Sequence, residues 1–494
     1  MVASSLWLAG GRAVVNAMGF VSTIVLARLL MPEDFGLVAL GTALMVIVRS
    51  LTEMSMAQAL VHHRNPAEDH YHTAFTLNAL RGVVLALLLV AAARPMAWAY
   101  ADPRLENVVL AFAAGTLVTG LLNPRQIALV KDMLFRQQFI MTAAQNVVTV
   151  GVSVFVAVVW RSYWALVLGV LAGQVVQVVL SYAMLPYLPR LRWNRASELW
   201  SFSLWMTLSN AVNTINWRSD QLLVGGILGR SALGYYTVGD NLAQIPTRET
   251  VGPLREALFP ALVRIADDPA RLRRGYQRAQ ALITFVALPV SVGFALVAEP
   301  AVLMAMGEKW LPAVPVIQAL SSVFALQTLG SMVQPLGMAM GDTRTLFMRD
   351  LALCAVRIPL VVGATLLLGI PGLILSRVFT GLFGMAINMG LVRRLTGLSI
   401  REQVLVNWRS LAAVAAMAAG VSAWYSTIAE RFAEDVWGPA LVIAQILPLG
   451  AALYLGAVLL LWLIARRPDG PETEMLALAQ TVLHRSMHRP GRGH

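Results

Sequence analysis

Eight arginines stand in stretches that are otherwise apolar: Arg12, Arg49, Arg81, Arg218, Arg248, Arg255, Arg357 and Arg377. Carboxylates in the same stretches are fewer, namely Glu53, Asp220, Asp240, Glu249 and Glu256. A guanidinium keeps its charge at any working pH, and its planar fork of donors matches the oxygens of a phosphate. In hydrocarbon such a group costs about 2.5–3.5 kcal/mol at the middle of a span, so it turns to a bundle interior, a watery cavity or an opposite charge. A surplus of cations in these places predicts a site for an anionic ligand. The chemistry is binding, because no G-x-S-x-G, P-loop, H-E-x-x-H or paired-carboxylate arrangement is present. The chain therefore does not read as an enzyme, and no cofactor is expected. Without a P-loop, hydrolysis of ATP by the usual route is not expected either.

Residues 232–262 carry the clearest pattern. At about 100° per residue, Asn241, Gln244, Arg248 and Arg255 share one flank, with Glu249 and Glu256 close beside it. Leu242, Ala243, Leu254 and Leu258 fall largely on the other side. Pro246, Pro253 and Pro260 recur every seven residues, and each removes a helical hydrogen bond. A bent helix with a charged stripe suits a moving cavity wall. It equally suits a charged network fastening the helix to a neighbour, with Arg248 and Arg255 neutralised by Glu249 and Glu256. Arg218 and Asp220 lie two residues apart, on different faces of one helix, so each needs a partner elsewhere. Arg49 and Glu53, four residues apart, can satisfy each other. The expected contacts are thus Arg12, Arg49, Arg218, Asp220, Asn241, Gln244, Arg248, Arg255 and Arg357 for substrate, with Glu53, Glu249 and Glu256 as a coupling or charge network. Arg81 and Arg377, near span ends, could instead snorkel to the interface.

The elements that position these side chains are membrane helices. Of 494 residues, 58% are hydrophobic and 13% charged, and the mean hydropathy is +0.68. A soluble protein would be about one-quarter charged. Apolar runs and their breakers predict fourteen spans, roughly 5–30, 36–61, 72–98, 105–130, 138–160, 163–186, 199–228, 232–262, 276–298, 312–340, 346–369, 371–393, 404–427 and 437–465. With the N-terminus inside, the connectors of the inner face and the tail hold 23 basic residues, against seven outside. That bias places both termini in the cytoplasm and accounts for most of the net charge of +12 without a nucleic-acid partner. The run from the N-terminus to Leu30 reads as a retained first helix rather than a cleaved signal. The lone Cys354 excludes an intrachain disulfide framework. His62, His63, His70 and His72 read as a solvated loop without metal-ligand spacing.

Leu6-Trp7 opens a run that ends at Gly36, and 198 residues later Leu204-Trp205 opens another that ends at Gly234. Ala13, Val14 and Gly41 recur as Ala211, Val212 and Gly239 at the same offset. A looser match pairs Pro66-Ala67 with Pro269-Ala270. Such an echo predicts two related bundles. The fold class is then an all-α membrane protein of about 14 transmembrane helices: an N-lobe over 1–190, a C-lobe over 191–400 related by a parallel repeat, two extra helices over 401–465, and a basic tail over 466–494.

Ala27-Arg28-Leu29-Leu30-Met31-Pro32-Glu33-Asp34-Phe35-Gly36 resembles the first helix junction of Wzx-type polysaccharide-lipid flippases, a branch of the MOP superfamily that also holds the MATE exporters and MurJ. Asp220-Gln221-Leu222-Leu223-Val224-Gly225, before Leu233-Gly234-Tyr235-Tyr236, is similar to that family's junction between the seventh and eighth helices. Phe259-Pro260-Ala261-Leu262 followed by Asp267-Asp268-Pro269-Ala270-Arg271-Leu272-Arg273-Arg274 resembles its next connector. The resemblance implies two six-helix lobes around a central cavity. It implies an undecaprenyl-diphosphate-linked oligosaccharide as substrate, moved from the cytoplasmic to the periplasmic leaflet of the inner membrane. It also implies H⁺ or Na⁺ as a coupling ion and glycan polymerase or assembly proteins as partners, though no ion site carries over residue by residue. Helices 13 and 14 would form a groove for the lipid tail, as in MurJ-like proteins. Two competitors remain. A MATE-like exporter of small cations needs a net acidic cavity, and a membrane glycan polymerase or ligase needs a long external loop.

Overall fold

In the computed structural model, the described residues are 2–51, 67–131, 135–194, 204–428, 437–468 and 470–473. Every regular element among them is a helix. In chain order these are α1 (Val2–Leu29), α2 (Pro32–Leu51), α3 (Glu68–Ala99), α4 (Arg104–Gly120), α5 (Gln126–Lys131), α6 (Phe135–Trp160), α7 (Trp164–Met184), α8 (Leu204–Arg264), α9 (Pro269–Leu296), α10 (Ala298–Met306), α11 (Val314–Gln327), α12 (Val333–Ala339), α13 (Thr343–Thr396), α14 (Ile400–Leu405), α15 (Trp408–Ile428) and α16 (Gly438–Ile464). Helices dominate because in hydrocarbon each backbone N–H and C=O must find its partner within the chain segment. Eight helical stretches among the described residues are long and apolar enough to cross a bilayer.

Two of the longest helices are hairpins. Gly229 breaks α8 at φ +83°, and Gly369 breaks α13 at φ +65°, a left-handed region that only glycine enters cheaply. The chain doubles back at each: Tyr236 reaches Asp220 across the first turn, and Leu346 and Val392, from opposite ends of α13, share one core. The expected breaks between 228 and 232 and between 369 and 371 coincide with these glycines.

Two expected spans are interrupted. The span 105–130 ends at Gly120, because Asn123 Nδ2 donates to the carbonyls of Ser181 (3.0 Å) and Leu185 (2.8 Å) and turns the chain aside before α5. The span 312–340 is split by a 3₁₀ turn at Thr328–Gly330, where a β-carbon on Gly330 would lie 2.8 Å from Asn388 Cβ. The histidine expectation needs correction. His70 and His72 are buried inside α3, and His72 Nδ1 lies 2.8 Å from the Tyr187 hydroxyl. Helix α3 starts at Glu68 because the Ala67 N–H donates to His70 Nδ1 at 3.1 Å, which spares one of the unpaired donors of a first turn. His62 and His63 lie outside the described residues.

By packing, the chain divides into two compact units: unit 1 holds 1–238, 305–309 and 350–373, and unit 2 holds 239–304, 310–349 and 374–494. That division runs across the lobes of 1–190 and 191–400 expected from the repeat. Within unit 1, helices approach closely through small residues: Gly82 of α3 and Gly120 of α4 face each other, so that a β-carbon on Gly82 would lie 2.9 Å from Gly120 Cα. In unit 2, α9 starts with a cap. Asp268 Oδ1 accepts from the N–H groups of Ala270 and Arg271, each at 3.0 Å, and Pro269 follows it at the first helical position.

The 198-residue echo has a direct structural counterpart in unit 1. A β-carbon on Gly36 would overlap the carbonyl of Arg230, and one on Gly234 would overlap the carbonyl of Pro32. Pro32 and Arg230 are themselves 198 residues apart, as are Gly36 and Gly234. Ser231 Oγ donates to Glu33 Oε1 at 3.2 Å, again across 198 residues. Positions 198 residues apart therefore touch one another reciprocally.

Candidate functional site

The site residues lie mainly on the two arms of α8. On the first arm, in unit 1, Asp220 is 1% exposed and Arg357 of α13 is 6% exposed. Arg357 Nε donates to Asp220 Oδ1 at 3.2 Å and its Nη2 to Oδ2, a bidentate pair, while the Tyr236 hydroxyl donates to Oδ2 at 2.8 Å. The guanidinium also sits 5.3 Å from the centre of the Trp217 ring. An isolated charge here would be costly, and the bidentate pairing with the added Tyr236 hydrogen bond offsets that cost. Arg357, expected among the substrate contacts, is thus placed in a buried clamp with Asp220. Arg218, as its angular separation requires, points elsewhere: it is half-buried, and its Nη1 lies 3.4 Å from Gln221 Oε1.

The part of the second arm that belongs to unit 2, from Gly239 on, carries a similar pair. Arg377 Nη2 donates to Asp240 Oδ1 at 3.3 Å, and Gln244 Nε2 donates to Asp240 Oδ2 at 2.7 Å. Beyond it the arm is two-sided. Leu242, Ala243 and Val251 are buried, Gly239 packs on Val316, and the Ser321 hydroxyl reaches the Ala243 carbonyl at 3.5 Å. On the polar flank Asn241 and Arg248 are exposed, Gln244 and Arg255 are half-buried, and a β-carbon on Gly252 would meet nothing within 4 Å. Arg248 Nε donates to Glu249 Oε1 at 3.0 Å, with the Arg248 side chain 61% exposed, so solvent screens most of that pair. Arg255 Nε is enclosed and has no hydrogen-bond partner among the described residues.

The basic excess therefore divides. Arg357 and Arg377 are neutralised in buried pairs, while Arg248 is exposed beside Glu249 and Arg255 is half-buried with an enclosed Nε. Arg49 is exposed at the end of α2, where its carbonyl accepts from Arg81 Nη2 at 3.1 Å. Arg12 lies within α1 and Glu256 within α8, but their side chains are not described, and Glu53 lies outside the described residues. Among the described residues no cluster of three histidine, cysteine or acidic side chains could hold a metal.

Sequence reasoning missed how Asp220 and Asp240 find their partners. Both carboxylates meet arginines 137 residues further on. Asp220 and Asp240 are twenty residues apart, as are Arg357 and Arg377. Two hairpins with matched charge spacing were the signal. It also missed the unit 1 network in which Asp102, 4% exposed, holds both Arg104 (3.2 Å) and Arg230 beside the α8 turn. The signal there was a lone carboxylate in a short connector that also carries Arg104.

Residues 25–315, more than half of the chain, match the sequence profile of a family described as polysaccharide biosynthesis protein. Lipopolysaccharide biosynthesis protein WzxC of Escherichia coli (strain K12) is 22% identical across 82% of this chain and 84% of its own length. Succinoglycan biosynthesis transport protein ExoT of Rhizobium meliloti (strain 1021) is 26% identical across 66% of this chain and 67% of its own. Among solved structures, the lipid II flippase MurJ in an inward closed conformation superposes with a TM-score of 0.75, covering 94% of this chain and all of MurJ at 14% identity. At that identity the likeness is one of fold.

Proposed function

Because the chain belongs to the polysaccharide biosynthesis protein family, we propose that it is a flippase for a lipid-linked oligosaccharide. Its substrate is an undecaprenyl-diphosphate-linked glycan, carried from the cytoplasmic to the periplasmic leaflet of the inner membrane for exopolysaccharide, capsule or O-antigen assembly. It is a multi-pass protein with about 14 spans and both termini in the cytoplasm. Lobes over 1–190 and 191–400 alternate access around an arginine-bearing cavity, followed by two further helices over 401–465 and a basic tail. The names of WzxC, ExoT and MurJ support the substrate class, and the MurJ-like fold supports the transport mode.

One observation carries the reading: Arg248 and Arg255 lie on the polar flank of a helix whose other face is packed, and Arg255 presents an enclosed donor without an acceptor among the described residues. A diphosphate supplies that acceptor and the compensating charge, while its lipid tail stays in hydrocarbon. Asn241 and Gln244 add polar groups along the same arm, Arg218 lies on the other arm of α8, and Arg12 and Arg49 belong to the repeat-related first helices. Hydrogen bonds to a charged group are worth about 1.5–3 kcal/mol. Arg248→Ala or Arg255→Ala should therefore weaken substrate capture roughly ten- to a hundredfold and abolish polymer export, while membrane insertion is retained. Unchanged export by both variants would overturn the site. Efflux of a cationic dye, with no flipping of lipid-linked oligosaccharide in vesicles, would replace the flippase with a small-molecule exporter.

A further inference from the structure

The end of unit 2 where α8 finishes and α9 starts is built on one apolar core. Leu262, Leu272, Tyr276, Leu336, Leu346, Val392 and Leu398 are all buried in it, so both ends of α13 and the termini of α8 and α9 meet there. Short α14 is fastened to the same core. Gln403 Nε2 donates to the carbonyls of Met389 (2.9 Å) and Leu398 (3.0 Å), and Ser399 with Glu402 closes a capping box. Around this core, the segments 262–278, 342–349 and 391–402 hold ten arginines against four carboxylates. Three of the carboxylates are engaged: Glu402 Oε1 accepts from Arg273 Nη2 at 2.5 Å, Asp268 caps α9 and sits 3.3 Å from Arg271 Nε, and Asp342 caps α13. Arg264, Arg274, Arg344, Arg393, Arg394 and Arg401 remain exposed.

A bias of positive charge toward one membrane face sets topology, but here the charge is concentrated beyond that need. At the inner-face connectors of unit 1, Arg125 pairs with Glu68 at 2.5 Å and Arg192 with Asp69, while Arg136 and Arg190 are exposed. The unit 2 end gathers six exposed arginines around one core. Its apolar surroundings set the depth. Ile400, Val404 and Leu405 of α14 and Trp408 at the start of α15 are all exposed, interleaved with Arg401. Exposed apolar side chains and a tryptophan beside guanidinium groups are the composition of the headgroup layer.

We propose that this arginine-rimmed end of unit 2 is a binding surface for anionic phospholipid headgroups of the adjoining leaflet, with α14 lying in the interface as its floor. Charge complementarity selects the occupant: a phosphodiester with a net negative charge faces Arg393, Arg394 and Arg401, while its acyl chains run beside Ile400, Leu405 and Trp408. A zwitterionic lipid brings an ammonium that these arginines repel. The inference does not depend on what the protein transports.

The test uses the full chain in nanodiscs of mixed phosphatidylglycerol and phosphatidylcholine, with retained lipids counted by native mass spectrometry. Wild type should retain phosphatidylglycerol in preference to phosphatidylcholine. Arg393→Gln, Arg394→Gln and Arg401→Gln should each weaken retention about fivefold, as a surface arginine contributes near an anionic bilayer. Arg94→Gln, near the end of α3, combined with Arg161→Gln in the connector after α6, both on the face expected to be opposite, should leave it unchanged. Equal retention of both lipids, or equal loss in the control variant, would overturn the proposal. So would retention of added undecaprenyl phosphate in place of phosphatidylglycerol, because the surface would then serve substrate capture.

Discussion

Removing one member of the Asp220–Arg357 pair tests the division between structural and substrate-facing arginines. Both side chains are nearly fully enclosed, at 2% and 8% exposure, so solvent gives little screening. Asp220→Asn keeps the shape and the Tyr236 contact but leaves the Arg357 guanidinium buried and uncompensated. Breaking a buried pair from one side costs about 3–5 kcal/mol, whereas replacing both charges with neutral polar groups costs far less. Asp220→Asn should therefore be destabilised by about that amount, and Asp220→Asn/Arg357→Gln should recover most of it. The coupling is read from thermal unfolding of the detergent-solubilised chain. Trp217, 5.3 Å from the guanidinium, provides a local fluorescence signal. A single variant as stable as wild type, or a double variant no more stable than the single, would refute the clamp. A double variant that is stable yet inactive in export would return Arg357 to the substrate site.

Three further outcomes follow from the geometry. Gly36→Ala and Gly234→Ala should each force the two junctions apart and lower the thermal midpoint, by about 1–3 kcal/mol of overpacking; oxidative cross-linking of Glu33→Cys with Ser231→Cys should fall in either background. Asp268→Ala removes the acceptor for two N–H groups at the start of α9 and should cost about 1 kcal/mol in the same unfolding assay. Glu402 is held below its usual 4.5, first by the Ser399 hydroxyl and N–H and then by Arg273. Its stabilising contribution is therefore complete above that value and lost as pH falls through the lowered one, so an unfolding midpoint measured across this acid range should drop in wild type and change less in Glu402→Gln.

The helices were legible because an apolar run with a glycine at its end is a local signal. Gly229 and Gly369 announced both hairpins. The break after Gly120 was not legible, since Asn123 is captured by carbonyls about sixty residues away. His70 and His72 looked solvated because they lie among polar residues, yet Tyr187 and the start of α3 enclose them. In the site, the flank bearing Arg248 and Arg255 followed from helical periodicity alone. The fate of Arg357 did not, because periodicity fixes which way a side chain points and says nothing of a carboxylate arriving from another hairpin.

The reciprocal seam, in which position 33 meets position 231 and each glycine receives the other copy's carbonyl, has a historical consequence. Such self-matching is the signature of a twofold, isologous association. A precursor segment that dimerised through this junction would leave such a contact behind once its two genes fused. Separately expressed halves of the chain should then still find each other through that ancestral patch.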